Sequence, residues 1–421
     1  MLGINNREET MDLTPTNDKY LNGGIAIWNK IKQFLQGTDL LCYTALFIWL
    51  SFSFLRTTCF YELLGLKAYS KVVLYTVLFF LALDFAFCQK RETEDCLVLF
   101  LCSLFALLAY KRVSLLLAVS ILILFSARRL SFQKLSKRLL LFYSAFVSLV
   151  ILCAAVGLIE DVLFYEDMGA RVRHSLGFTY CSYSSHYVLT ITMLYLVVRE
   201  SIRIWETLPA LGINVVVYYF TDTKTDLLLC ILVLLLALLL GNRKGRCLVK
   251  MWQRLLVGSL PVLFLLGSYV IVRIARFDVA IWGRINEKIN GRLLLGQNAI
   301  EKYGVHFLGK KIKWVGVGQL AKNQELVYNY VDNIYLQTLL AMGIVFTLLW
   351  CLLLGRSLAG SLYQGYRMRA VVVFVFLLHG LLDPQLRSLC YNPFLLLLFS
   401  TESGLFMIGI KDTNGKGVEN V

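Results

Sequence analysis

The chain has 421 residues, of which 58% are hydrophobic and only 16% charged, with a formal net charge of +15. A soluble protein of this length would divide into two or three domains. This composition excludes that, because the apolar residues gather into runs of about 15–22, the length that crosses a ~30 Å hydrocarbon layer as a helix. Nucleic-acid binding is excluded with it, since no soluble domain carries the basic face. Eleven cysteines occur, most of them inside apolar runs (Cys42, Cys88, Cys102, Cys153, Cys230 and Cys351 among them) and none in a C-x-x-C pair. They read as small core residues rather than as a metal or disulfide framework.

The fold class is therefore an all-α polytopic membrane protein. Residues 1–37 are polar, mixed in charge and unlike a signal peptide, and form a cytoplasmic N-terminal segment. About twelve transmembrane helices follow, at 39–55, 72–88, 96–110, 113–127, 139–159, 183–198, 208–221, 226–241, 255–272, 331–354, 370–383 and 391–410. They make a single transmembrane domain over 38–410, ahead of a cytoplasmic tail, 411–421. Lys and Arg are denser in alternate short loops, such as Arg128 to Arg138 and Arg243 to Arg254, which places both termini inside. Asp84 in the second segment reads as a polar contact between helices.

One polar island, 273–329, interrupts this pattern and falls outside as a long extracytoplasmic loop. It holds ten Lys and Arg against a handful of acids, an excess that fits an anionic, lipid-linked substrate. Within it, Asn290-Gly291 precedes a helix predicted over Arg292–Tyr303, with Gly304 placed to end it. Arg292, Leu295, Ala299 and Tyr303 share the face of that helix that lies on the membrane surface. Val315-Gly316-Val317-Gly318 reads as a turn. An earlier outside loop, Glu160 to Ser182, offers Arg171, Arg173 and His174, with His186 just beyond. A polar bridge, Thr221 to Asp226, joins two apolar runs. His379 and Asp383 stand one helical turn apart, and a mutual hydrogen bond is the simplest expectation for them. His306 is a further candidate base that nothing in the sequence positions.

Taken in order, these stretches resemble the bacterial polysaccharide polymerases of the Wzy type, which make O-antigen, capsule and exopolysaccharide and belong with the O-antigen ligases. Arg171-Val172-Arg173-His174-Ser175-Leu176-Gly177-Phe178 resembles the family's Arg-Ser-x-Gly-Phe loop, with His174 inserted. Thr223-Lys224-Thr225 resembles Thr-x-Ser-Arg-Thr, with Lys224 where Arg is usual. Asn290-Gly291-Arg292 and a helix, then Val315 to Gly318, then Asp332-Asn333-Ile334-Tyr335-Leu336 before Gly343, resemble the long-loop block. Ligases commonly carry His where Asp332 stands, which favours polymerase over ligase.

The resemblance implies a donor glycan on a polyprenyl diphosphate and an acceptor sugar hydroxyl on a second lipid-linked unit, joined at the outer face of the bacterial plasma membrane. Arg173 and Arg292 are then diphosphate ligands, because a guanidinium binds phosphate oxygens bidentately and keeps its proton. Arg171 and Lys224 assist them. Asp332 is the base or hydroxyl orienter, and Asn333 and Tyr335 bind substrate. No cofactor or metal is expected, since no carboxylate cluster stands out. Membrane lipids, a flippase and a chain-length regulator are the implied partners. The competing readings are a flippase for the same units and a ligase-type glycan transferase. A flippase would spread its ionisable residues along a central cavity and keep its outer loops short.

Overall fold

The computed structural model describes residue 30 and residues 39–87, 93–166, 171–241, 251–316 and 327–400. The predicted cytoplasmic tail, residues 317–318 and all of residues 1–37 except residue 30 lie outside the described residues. Helices dominate: α1 (Leu40–Leu55), α2 (Ser70–Phe87), α3 (Thr93–Arg112), α4 (Leu115–Ala127), α5 (Phe132–Ala155), α6 (Cys181–Arg199), α7 (Ile204–Thr221), α8 (Lys224–Gly241), α9 (Met251–Ile274), α10 (Ala280–Lys288), α11 (Arg292–Tyr303), α12 (Ile334–Tyr363) and α13 (Arg367–His379). One sheet accompanies them among the described residues, the antiparallel hairpin β1 (Leu163–Glu166) and β2 (Arg171–His174), with Phe164 opposite Arg173. Five segments are long and apolar enough to cross a membrane: Leu66–Phe87, Phe132–Ala155, Cys181–Arg199, Trp252–Ile274 and Ile334–Tyr363. The architecture is that of an all-α membrane protein.

The first eleven apolar segments each contain a helix. Segments three and four are separated by almost nothing in sequence, yet they form two helices. The break comes from Ser114, whose hydroxyl accepts from Leu117 N–H at 3.3 Å and caps α4. Asp222, left-handed at φ 49°, makes the corresponding break between α7 and α8. Asp84 is fully buried and accepts from Ser126 Oγ and Arg129, each at 2.5 Å, so it is the expected contact between helices.

The twelfth segment differs. Over 391–400 the chain is not an α-helix, and the rest of the predicted span lies outside the described residues. Pro384 and Pro393 remove two backbone donors, and the chain takes only short 3-10 turns at Pro384–Arg387 and Pro393–Leu397. It nevertheless runs through the interior of the bundle. Side chains of three helices donate to its carbonyls: Tyr143 Oη to Cys390 O at 2.7 Å, His186 Nε2 to Tyr391 O at 2.7 Å, Ser357 Oγ to Leu397 O at 3.2 Å and Arg356 to Leu398 O at 3.3 Å. Irregular backbone survives at membrane depth only where protein groups satisfy it in this way. Tyr391 stacks on Tyr187 at 5.4 Å, within a buried aromatic cluster that includes Phe54, Tyr143 and Phe178.

Two close backbone approaches shape the other half of the bundle. α9 crosses α12 at Gly258 and Gly355, where a Cβ on Gly355 would strike the Gly258 carbonyl oxygen. α12 is broken at Gly343 (φ 86°, ψ 178°), and the segment after α11 docks into the break. Ile344 N–H donates to His306 O at 3.1 Å, and Lys310 N–H donates to Leu340 O at 3.2 Å. A Cβ on Gly309 would overlap the Ala341 carbonyl.

Candidate functional site

The hairpin marks one end of the bundle, and Arg171, Arg173 and Lys224 gather there. β2 presents Arg173 to the C-terminal end of α7. Its Nε donates to Thr221 O at 2.8 Å, and a terminal nitrogen lies 3.5 Å from Thr223 Oγ1. A helix C-terminus is short of donors and carries partial negative charge, so it is a natural anchor for a guanidinium. Arg171 pairs with Asp222 in the same turn. The polar bridge 221–226 therefore holds both arginines of the loop. Lys224 opens α8 beside them and is exposed.

α11 spans Arg292–Tyr303 and stops at Gly304, as predicted. Its buried face differs from the expected one. Leu293, Gly296, Ala299 and Ile300 turn inward, and Gly296 sits close to Val272 of α9 and Leu336 of α12. Arg292 stands at the edge of that contact, half-buried, with Nε 3.3 Å from Asp332 Oδ2. Burial pushes the Asp332 carboxyl above its ordinary range, and Arg292 pulls it partly back. His306 lies away from this pair, exposed, with its Nε2 2.9 Å from Tyr303 O.

A half-open cavity of about 1170 Å³ lies between the loop that follows β2 and the end of the island; Asp332 lines it, whereas Arg171, Arg173, Lys224 and Arg292 do not. Asp161 and Tyr180 line it from the hairpin side, and Tyr328, Tyr330 and Asp332 line it from the island side. Tyr61 and Tyr183 bring its tyrosines to five. Each offers a flat apolar ring with a polar tip, a surface suited to sugar rings. Tyr180 stands between the two groups. Burial raises the pKa of its phenol and Cys181 adds to the rise, while Arg173 opposes it and Asp332 reinforces it.

Asp161 carries no motif, and sequence reasoning passed it by. Its carboxylate faces His174 Nδ1 at 2.6 Å and accepts from Leu176 N–H at 2.7 Å and Ser175 Oγ at 3.3 Å. It thereby fixes the loop that presents Arg173.

Asn333 and Tyr335 serve the scaffold. Asn333 caps α12 by accepting from Leu336 N–H at 3.0 Å, and its Nδ2 donates to Ser268 Oγ and to Leu381 O. Tyr335 is fully buried and donates to Leu377 O at 2.9 Å. Neither lines the cavity.

The expected His379–Asp383 hydrogen bond is absent. α13 ends at His379, and Asp383 lies beyond it, using its carboxylate to cap the next turn at Gln385 N–H, 2.7 Å. His379 Nε2 is 4.0 Å from Asp383 but 3.4 Å from Asp226 Oδ1 of α8. His186 of α6 completes a buried group of three. Its members are far apart in the chain, so no spacing in the sequence announces them.

Compared with known proteins, the chain matches no family model, no curated protein and no solved structure.

Proposed function

We propose that this chain is a membrane glycosyltransferase that polymerises polyprenyl-diphosphate-linked oligosaccharide units at the outer face of the bacterial plasma membrane. One observation carries the reading. Two stretches that resemble polymerase motifs, the loop that carries Arg173 and the block that ends in Asp332, flank one tyrosine-lined cavity at one end of the bundle, and the third binds Arg173. That cavity has the size and lining for carbohydrate.

In this reading the acceptor hydroxyl attacks the anomeric carbon of the donor glycan. The new C–O bond forms as the bond from that carbon to the diphosphate oxygen breaks, and the diphosphate departs with the electron pair. Arg173 and Arg292 neutralise the charge it gains, with Arg171 and Lys224 beside them. Asp332 takes the hydroxyl proton. Arg292 and Asp332 hold each other until substrate arrives, so each is positioned by the other.

The test follows lipid-linked glycans in cells carrying Arg173→Ala or Arg292→Ala. A dead polymerase still receives single units flipped by another protein, so those units accumulate outside, within reach of an impermeant glycosidase. Units that accumulate but stay protected until the membrane is permeabilised support the flippase reading instead. Full polymer in both variants, per molecule of inserted protein, removes the arginines from the site.

A further inference from the structure

The group formed by His186, Asp226 and His379 lies outside the glycan cavity, and the chemistry proposed above leaves it unused. Its three side chains are almost fully buried and come from α6, α8 and α13. One ligand-capable atom of each lies within 4.8 Å of the others.

Hydrogen bonds outside the group orient two of the three side chains. His186 donates through Nε2 to the Tyr391 carbonyl at 2.7 Å, which leaves Nδ1 with its lone pair, buried and without a partner among the described residues. Ser185 Oγ donates to Asp226 Oδ2 at 2.6 Å and leaves Oδ1 facing His379 Nε2 at 3.4 Å. Metal-binding imidazoles and carboxylates are held in this manner, with one atom tied to a neighbour and the other presented. The 3.4 Å separation is close to the edge of a tetrahedron whose metal–ligand bonds are about 2.0–2.1 Å. The widest separation would close by at most about 1.4 Å to reach that geometry. Asp383 Oδ2 lies 4.0 Å from His379 Nε2, outside the group of three.

Charge gives a second argument. Asp226 and Asp383 bring two carboxylates against two imidazoles, and neither carboxylate has an ion pair with Lys or Arg among the described residues. Burying the Asp226 carboxylate uncompensated is costly, and a divalent cation balances it.

We propose that His186, His379 and Asp226 form a buried site for a divalent transition metal of the zinc class. Two imidazoles with carboxylate oxygens suit Zn²⁺ better than Mg²⁺ or Ca²⁺. The site is buried and apart from the glycan cavity, so the ion acts as a structural tie. It joins the hairpin-end termini of α6, α8 and α13 behind the glycan cavity. The proposal stands whether or not the chain is a polymerase.

The experiment uses the full chain in detergent, purified with an affinity tag that contains no histidine. Protein is loaded with Zn²⁺ and dialysed, and metal per chain is measured by mass spectrometry. The expected result is about one Zn²⁺ per wild-type chain, falling at least tenfold in His186→Asn and in His379→Asn. Wild-type protein loaded with Co²⁺ should show the visible absorption of a tetrahedral nitrogen–oxygen site. Chelation should lower its melting temperature. The wild-type readings guard against variants that fail to fold. Less than about one-tenth of an ion per wild-type chain with no Co²⁺ band overturns the proposal. So does one ion per chain retained in both variants.

Discussion

Arg292 and Asp332 stand forty positions apart and meet because α11 folds back on the start of α12. With an acid and a base in direct contact, loss of either leaves the other half-buried without its partner. Arg292→Ala should lower polymer formation about 10²–10³-fold, the usual effect of removing one stabiliser of developing negative charge. Arg292→Lys should restore only part, because an ammonium cannot bind a diphosphate bidentately. Asp332 adds a pH signature. Burial raises its carboxyl pKa, so the ionised form fills only as pH climbs past the ordinary carboxylate range. Activity in membranes should therefore rise with pH along a limb set above that range, and Asp332→Asn should abolish the limb together with the activity. A limb that survives in Asp332→Asn assigns the proton to another group. Tyr335→Phe makes the contrast: it removes one buried hydrogen bond, to Leu377 O, and should cost about 1 kcal/mol of stability while leaving turnover per folded molecule unchanged. The arginines were legible in sequence because a charged group beside an apolar run needs a reason. The scaffold roles of Asn333 and Tyr335 were not, because a helix cap and a substrate ligand call for the same side-chain chemistry.

At the scale of elements, apolar run length located the helices, and local chemistry set their ends. Ser114, Asp222 and Gly304 each mark a boundary that a sequence rule can find. The inward face of α11 was harder to read. A stripe through Arg292 and a stripe through Leu293 are one residue apart, and only the presence of Val272 and Leu336 decides between them. The break in α12 is a tertiary effect as well: Gly343 adopts its left-handed conformation because the segment 306–310 fills the gap it opens. Gly343→Ala meets both a forbidden φ and the backbone of Gly309, so it should cost about 2 kcal/mol or more. A thermal melt of purified protein checks this. An unchanged melting temperature means the break is not needed for stability.

For the whole molecule, the topology proposed from basic loops makes a direct prediction. A reporter fused near Lys310 should read as extracytoplasmic, and one fused near Lys244 as cytoplasmic. Both reporting from one side would overturn the outward placement of the cavity. The meeting of Arg173 with Thr221, and of Tyr180 with Asp332 at one cavity, is a property of the packed bundle. Resemblance suggested it, while the distances that define it exist only in three dimensions.

The segment 384–400 has a consequence for how the protein is made. A translocon recognises helices by their hydropathy and passes them into lipid one or two at a time. This segment is not a helix that could enter that way: besides its own short turns, its carbonyls accept from Tyr143, His186, Ser357 and Arg356, all four on helices synthesised earlier. Settling of the segment should therefore follow packing of the three helices that supply those donors. Maturation then has a late checkpoint near the C-terminus. Chains ended after Asp383 should insert their helices at normal yield and yet stay sensitive to proteases that full-length protein resists.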